Sequence, residues 1–96
     1  MTDQLSRLHA IVAGRVQGVG YRWFILAKGR ALDLKGQVRN LSDGTVEVSA
    51  EGSKSVLETL AQAIREGPDN SDVERASIEW ETYVGNFSGF EIAPTR

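Results

Sequence analysis

The spacing of apolar positions changes period at a run of glycines early in the chain. Before it, Leu8, Ala10 and Val12 alternate with His9, Ile11 and Ala13, and both sets are largely apolar, the pattern of a central β-strand covered on at least one side. After it, Tyr21, Phe24, Ala27, Ala31 and Leu34 recur at three- and four-residue intervals, marking the core-facing stripe of a helix that ends before Lys35–Gly36. Gly29 weakens that helix by about 1 kcal/mol relative to Ala, and its place predicts close packing against a sheet. Trp23 points to another side of the helix from Tyr21 and Phe24 and is expected to be partly exposed.

Gly36–Leu41 and Thr45–Glu51 read as the two strands of a hairpin, joined through Ser42–Asp43–Gly44, where Asp–Gly is a strong turn signal. Val46, Val48 and Ala50 alternate with Glu47, Ser49 and Glu51, which predicts one buried face and one wet face. A second helix follows, capped by Ser53 or by Ser55; Ser55 with Glu58 fits a capping box. Val56, Leu57, Leu60 and Ile64 line one side of it, and Gly67–Pro68 ends it. After a polar loop at Asp69–Asp72, Ala76, Ile78 and Trp80 alternate with Ser77, Glu79 and Glu81 in a further strand, where Trp80 reads as packing. Phe90 and Ile92 give a short last strand before Pro94. The order is that of an α+β, ferredoxin-like β-α-β-β-α-β sandwich, an antiparallel sheet with two helices on one face. No repeat, linker or low-complexity run interrupts it, so one domain over residues 1–96 is expected.

Composition narrows the chemistry. A chain of 96 residues, 41% hydrophobic, can bury roughly two-thirds of its unfolded surface in a single core. It has no cysteine, which excludes disulfides, a thiolate nucleophile and thiolate metal sites, and leaves the redox compartment open. The net charge of −2 argues against general affinity for nucleic acid. The start MTDQLSRLH lacks the basic and apolar segments of a secretory signal, and no stretch approaches the roughly 20 apolar residues that span a bilayer. A cytoplasmic monomer is the expectation, with neither nucleic acid nor membrane as partner.

The candidate chemistry lies between the first strand and the first helix, in GRVQGVGYRWF at Gly14–Phe24. Three glycines in seven positions let the backbone turn tightly and bring its N–H groups close to a ligand. A helix starting near Gly20 aims its unpaired N–H groups and positive dipole end into the same space. Arg22 adds a planar fork that matches phosphate oxygens. The pattern is neither Walker A nor the dinucleotide fingerprint. On these residues alone, a phosphate cradle and a plain strand-to-helix turn are equally good readings.

A wider pattern separates them. GRVQGVGYR at Gly14–Arg22, GQVRN at Gly36–Asn40 and the Asp43–Gly44 turn resemble the acylphosphatase family, whose signature is G-x-V-Q-G-V-x-[FY]-R, then a G-x-V-x-N strand and a D-G turn. The likeness continues through EVSAEG at Glu47–Gly52, Gly67–Pro68 and GFEI at Gly89–Ile92, nearly the whole chain; Tyr21 stands where many relatives carry Phe. The resemblance implies an enzyme that hydrolyses small acyl phosphates to carboxylate and phosphate, without metal or organic cofactor. It implies that Arg22 and the loop of Gln17, Gly18, Val19, Gly20 and Tyr21 hold the phosphoryl group, and that Asn40 orients the attacking water. By spacing alone Asn40 reads as a turn-forming strand end.

Arg15 and Arg39 flank the motifs and read as surface charges that add local positive potential. The sole histidine, His9, lies in the first strand, so no conventional general base is evident. Two other classes compete. One is a non-catalytic module binding phosphate or carbamoyl phosphate, like the acylphosphatase-like domain of larger hydrogenase maturation proteins. The other is an RNA-recognition module, which needs exposed aromatics on central strands; Leu8–Ala13 and Val46–Ala50 carry none.

Overall fold

The computed structural model describes residues 3–96, and its elements follow the expected order. They are β1 (Leu5–Arg15), α1 (Tyr21–Ala31), β2 (Lys35–Asn40), β3 (Val46–Ser53), α2 (Lys54–Glu66), β4 (Asp72–Glu81) and β5 (Phe90–Ile92). The strands form one sheet in the order β4-β1-β3-β2-β5. Strand β1 is interior, antiparallel to β3 from Leu5↔Ser53 to Val12↔Val46 and antiparallel to the edge strand β4 on its other side. The first four strands are the ferredoxin-like set; β5 runs parallel to β2, Gly36 opposite Phe90, so the whole sheet is mixed. No helix among the described residues is long and apolar enough to cross a membrane.

The alternation seen in the sequence sets the core. Leu8, Ala10 and Val12 of β1 join Val38, Val46, Val48 and Ala50 in facing both helices, where Ile25 and Leu26 of α1 and Leu57, Leu60, Ala61 and Ile64 of α2 complete the layer. Each Val, Leu or Ile among them contributes about 1.5–3 kcal/mol by leaving water. The stripe on α1 differs from the expectation: Tyr21, Ile25, Leu26 and Gly29 are buried, whereas Ala27 and Ala31 are exposed. Leu34 lies beyond the helix, because the chain turns at Asp33 (φ 56°) and closes a Schellman pair, Asp33 N–H to the Arg30 carbonyl and Leu34 N–H to that of Gly29. Gly29 packs closely, as expected; a Cβ there would stand 2.5 Å from the Phe90 ring.

Two further expectations are corrected by groups distant in sequence. The second helix begins after Ser53, which makes no side-chain cap bond. The Ser55–Glu58 box is not formed; instead the Asp3 carboxylate accepts from the Ser55 N–H and hydroxyl. The face of β3 read as wet is covered at one end: Glu51 is 1% exposed and Ser49 is also buried. The segment following β4 reaches over Glu51, where the Val84 and Gly85 N–H groups donate to its carboxylate at 2.7 and 3.0 Å. Arg7 pairs with Glu51 at 3.1 Å and stacks over Phe87. Trp80 is 40% exposed, with the Lys54 ammonium 4.5 Å from its ring centre, so it caps an edge rather than filling the core.

Candidate active site at the start of α1

The loop is shaped by what ends β1. The pairing with β4 shifts at Ala13/Gly14, a bulge, and Gly14 sits there at φ 126°, where an added Cβ would overlap the Asp72 carbonyl. Only glycine satisfies both the angle and the space. The chain then runs through Val16, which is buried and anchors the loop, to Gly18 (φ 72°) and Gly20 (φ 81°). At both, a Cβ would meet nothing within 4 Å, so glycine is needed there for its left-handed backbone rather than for room.

Gly20 is the N-cap of α1 and supplies no side-chain cap. The Val16 N–H bonds to the Gly14 carbonyl, and the next amide to bond backbone is Phe24, onto Gly20 at 3.0 Å. The amides of Gln17 through Trp23 therefore have no acceptor among the described residues. The first turn of α1 also has no acidic residue; it carries Arg22, a cation at the positive end of the dipole, which disfavours the helix by about 0.3–1 kcal/mol. An external anion relieves both deficits.

Arg22 is half-buried and has no ion pair among the described residues. With Val16, Gly18, Gly20, Tyr21 and Trp23 it lines a pocket of about 170 Å³, a size suited to a phosphoryl group. A groove between α1 and α2 is roomier, at about 370 Å³, but is lined by Phe24, Lys28, Thr59, Gln62, Ala63, Glu66 and Gly67 and lies outside the amide run. The phenol of Tyr21 is not available to a ligand. It is buried and donates to the Ile64 carbonyl at 2.7 Å, and burial pushes its pKa far above the ordinary value. Tyr21 nonetheless lines the pocket.

Gln17 has a role that its place in the motif does not reveal. Its side-chain amide donates to the carbonyls of Leu41 and Thr45, both at 2.9 Å, fastening the loop to the β2–β3 turn. That turn is itself stiff: the Asp43 carboxylate accepts from the Thr45 N–H at 3.0 Å and hydroxyl at 2.6 Å, and Gly44 takes φ 94°. The clamp brings the loop beside the end of β2, one residue from Asn40. Asn40 does not line the pocket, but its Oδ1 is buried with no hydrogen-bond partner among the described residues. An unpaired buried acceptor costs about 1–3 kcal/mol, which a donor arriving at the site removes.

The flanking arginines separate. Arg15 is exposed; Arg39 is only 12% exposed and lies 3.3 Å from Glu47, which also binds His9 Nε2 at 2.8 Å. Arg39 thus belongs to a charged row across the sheet face without helices. On the same face His9, Glu79 and Glu81 bring ligand atoms within 4.8 Å of one another. This group is separate from the loop, and Glu81 is already paired with Arg7 at 3.4 Å.

Comparison with known proteins matches the sequence and the fold to one family. The acylphosphatase family model covers residues 8–92. An acylphosphatase of Salinibacter ruber is 44% identical over 95% of this chain and 96% of its own length. The crystal structure of acylphosphatase from Bacillus subtilis superposes with a TM-score of 0.87 at 34% identity, covering 94% of this chain and 99% of that one. Full-length HypF in a phosphate- and nucleotide-bound form gives a TM-score of 0.86 at 27% identity; it matches 99% of this chain but only 13% of its own. The family model and these relatives span nearly the whole sequence, and the chain belongs to the acylphosphatase family.

Proposed function

We propose that this enzyme hydrolyses small acyl phosphates, splitting the carboxyl–phosphate bond to give a carboxylate and orthophosphate. In this reading Arg22 and the amides of Gln17, Gly18, Val19, Gly20, Tyr21 and Arg22 hold the phosphoryl oxygens, and Asn40 Oδ1 accepts a hydrogen bond from the attacking water. The oxygen of that water bonds to phosphorus while the carboxylate leaves. The substrate's own phosphate takes the water's proton, since His9 is bonded to Glu47 on the open sheet face. Phosphoryl transfer depends mainly on alignment and charge stabilisation, and a carboxylate is a good leaving group. The same reading takes residues 1–96 as one domain acting as a cytoplasmic monomer, without metal or organic cofactor.

The observation that supports it most is the run of amides without acceptors beside an arginine without a carboxylate. The test is phosphate release from a generic acyl phosphate by the wild type, Arg22→Ala and Asn40→Ala, with circular dichroism to follow the fold. Turnover is expected to vanish in both variants while the fold persists; an unchanged rate removes that residue from the mechanism. The likeness to a segment of HypF favours a second reading, a non-catalytic module for phosphate or carbamoyl phosphate. Calorimetric binding of phosphate without turnover would mark that case.

A further inference from the structure

Among the residues lining the phosphate pocket, Val16 and Tyr21 are buried, and Trp23 is the large apolar side chain left in water, 66% exposed. The molecule's other exposed tryptophan has an internal partner, the Lys54 ammonium over the Trp80 ring. Trp23 has no comparable cation or hydrogen-bond partner among the described residues. Folding therefore gives no reason for an indole at this position, immediately after Arg22 in the first turn of α1.

Resting on the assignment of Arg22 and the loop amides as the phosphate cradle, we propose that Trp23 forms the acyl-group subsite and sets a preference for aromatic or broad apolar acyl groups. Three oxygens of an acyl phosphate face the amides and the guanidinium. The fourth carries the acyl group, which leaves the cradle toward solvent, and Trp23 is the exposed apolar residue lining that pocket. A planar acyl ring can lie on the indole as an aromatic pair, gaining contact and shedding water on both faces. An acetyl group is too small to cover it. The Trp23 indole acts on the acyl group alone; the residue's backbone amide, which Trp23→Ala and Trp23→Phe both keep, stays with the amide run.

The experiment compares steady-state hydrolysis of benzoyl phosphate and acetyl phosphate by the wild type, Trp23→Ala, Trp23→Phe and Arg22→Ala, with orthophosphate as competitive inhibitor. In Trp23→Ala, kcat/KM for benzoyl phosphate should fall about tenfold, the size of one aromatic pair, chiefly through KM. Acetyl phosphate turnover and inhibition by orthophosphate should change by less than about twofold, and Trp23→Phe should keep most of the benzoyl preference, since a phenyl ring retains the stacking face. A benzoyl-to-acetyl ratio unmoved by Trp23→Ala overturns the subsite while leaving the cradle intact, provided that acetyl phosphate turnover still requires Arg22. Full activity of Arg22→Ala on acetyl phosphate overturns the cradle and the subsite together.

Discussion

Two loops of this molecule gather the same kinds of donor, and they differ in whether the chain provides the anion. After β4, the Val84 and Gly85 amides and the Arg7 guanidinium converge on the Glu51 carboxylate, at 2.7, 3.0 and 3.1 Å. Before α1, the amides of Gln17 to Trp23 and the Arg22 guanidinium have no carboxylate partner among the described residues. The first set is satisfied internally and holds a surface segment down. The second has no internal acceptor, as the proposed phosphate site requires.

The largest expected effect falls on the open loop. Arg22→Ala should lower kcat by about 10²–10³-fold, the loss associated with one preorganised charge-stabilising donor, with little change in thermal stability. Arg22→Lys should recover only part of this, because an ammonium cannot engage two phosphate oxygens in a fork. The opposite profile is expected at the clamp: Glu51→Gln should cost about 2 kcal/mol, as an uncompensated Arg7 and weakened amide bonds remain. That corresponds to a Tm lower by roughly 8–16 °C, with turnover by the folded fraction unchanged.

Gln17→Ala should affect both readouts modestly. The Leu41 and Thr45 carbonyls keep their backbone donors but lose the side-chain one, a destabilisation of about 1–2 kcal/mol, and the loop shifts relative to Asn40, lowering kcat by roughly tenfold. The smallest effect concerns acid. Burial pushes the Glu51 pKa up, but the bonds from Val84, Arg7 and Gly85 outweigh it and leave the group below its ordinary value of 4.5. A carboxyl depressed in the folded state contributes stability that is present above the ordinary value and lost as pH falls through the folded one. Urea midpoints should therefore decline below about pH 4.5 in the wild type, and less steeply in Glu51→Gln.

The sequence legibly encoded what depends on neighbours along the chain. The switch from period two to period 3.6 around Gly14–Gly20 placed β1, the loop and α1, since each pattern reflects local backbone geometry. What it did not reveal depends on partners far along the chain. The cap of α2 comes from Asp3, 52 residues before Ser55, where the local Ser–Glu spacing suggested a box. Glu51 reads as a solvated strand position until the segment after β4 is laid over it. Leu34 fell outside the expected α1 stripe because Asp33, a residue tolerated in the left-handed region, ends the helix before it. Gln17 was legible as a loop member but not as a clamp, because both its acceptors are backbone carbonyls, which carry no residue signature.

The claim that the open loop is built for an external anion is tested most directly by amide-resolved NMR during titration with orthophosphate. Resonances of Gln17 through Trp23 and the Arg22 side-chain N–H should move together and saturate, while Val84 and Gly85, already bonded to Glu51, stay in place. Saturable shifts confined to other surfaces, or unchanged phosphate affinity in Arg22→Ala, would contradict it.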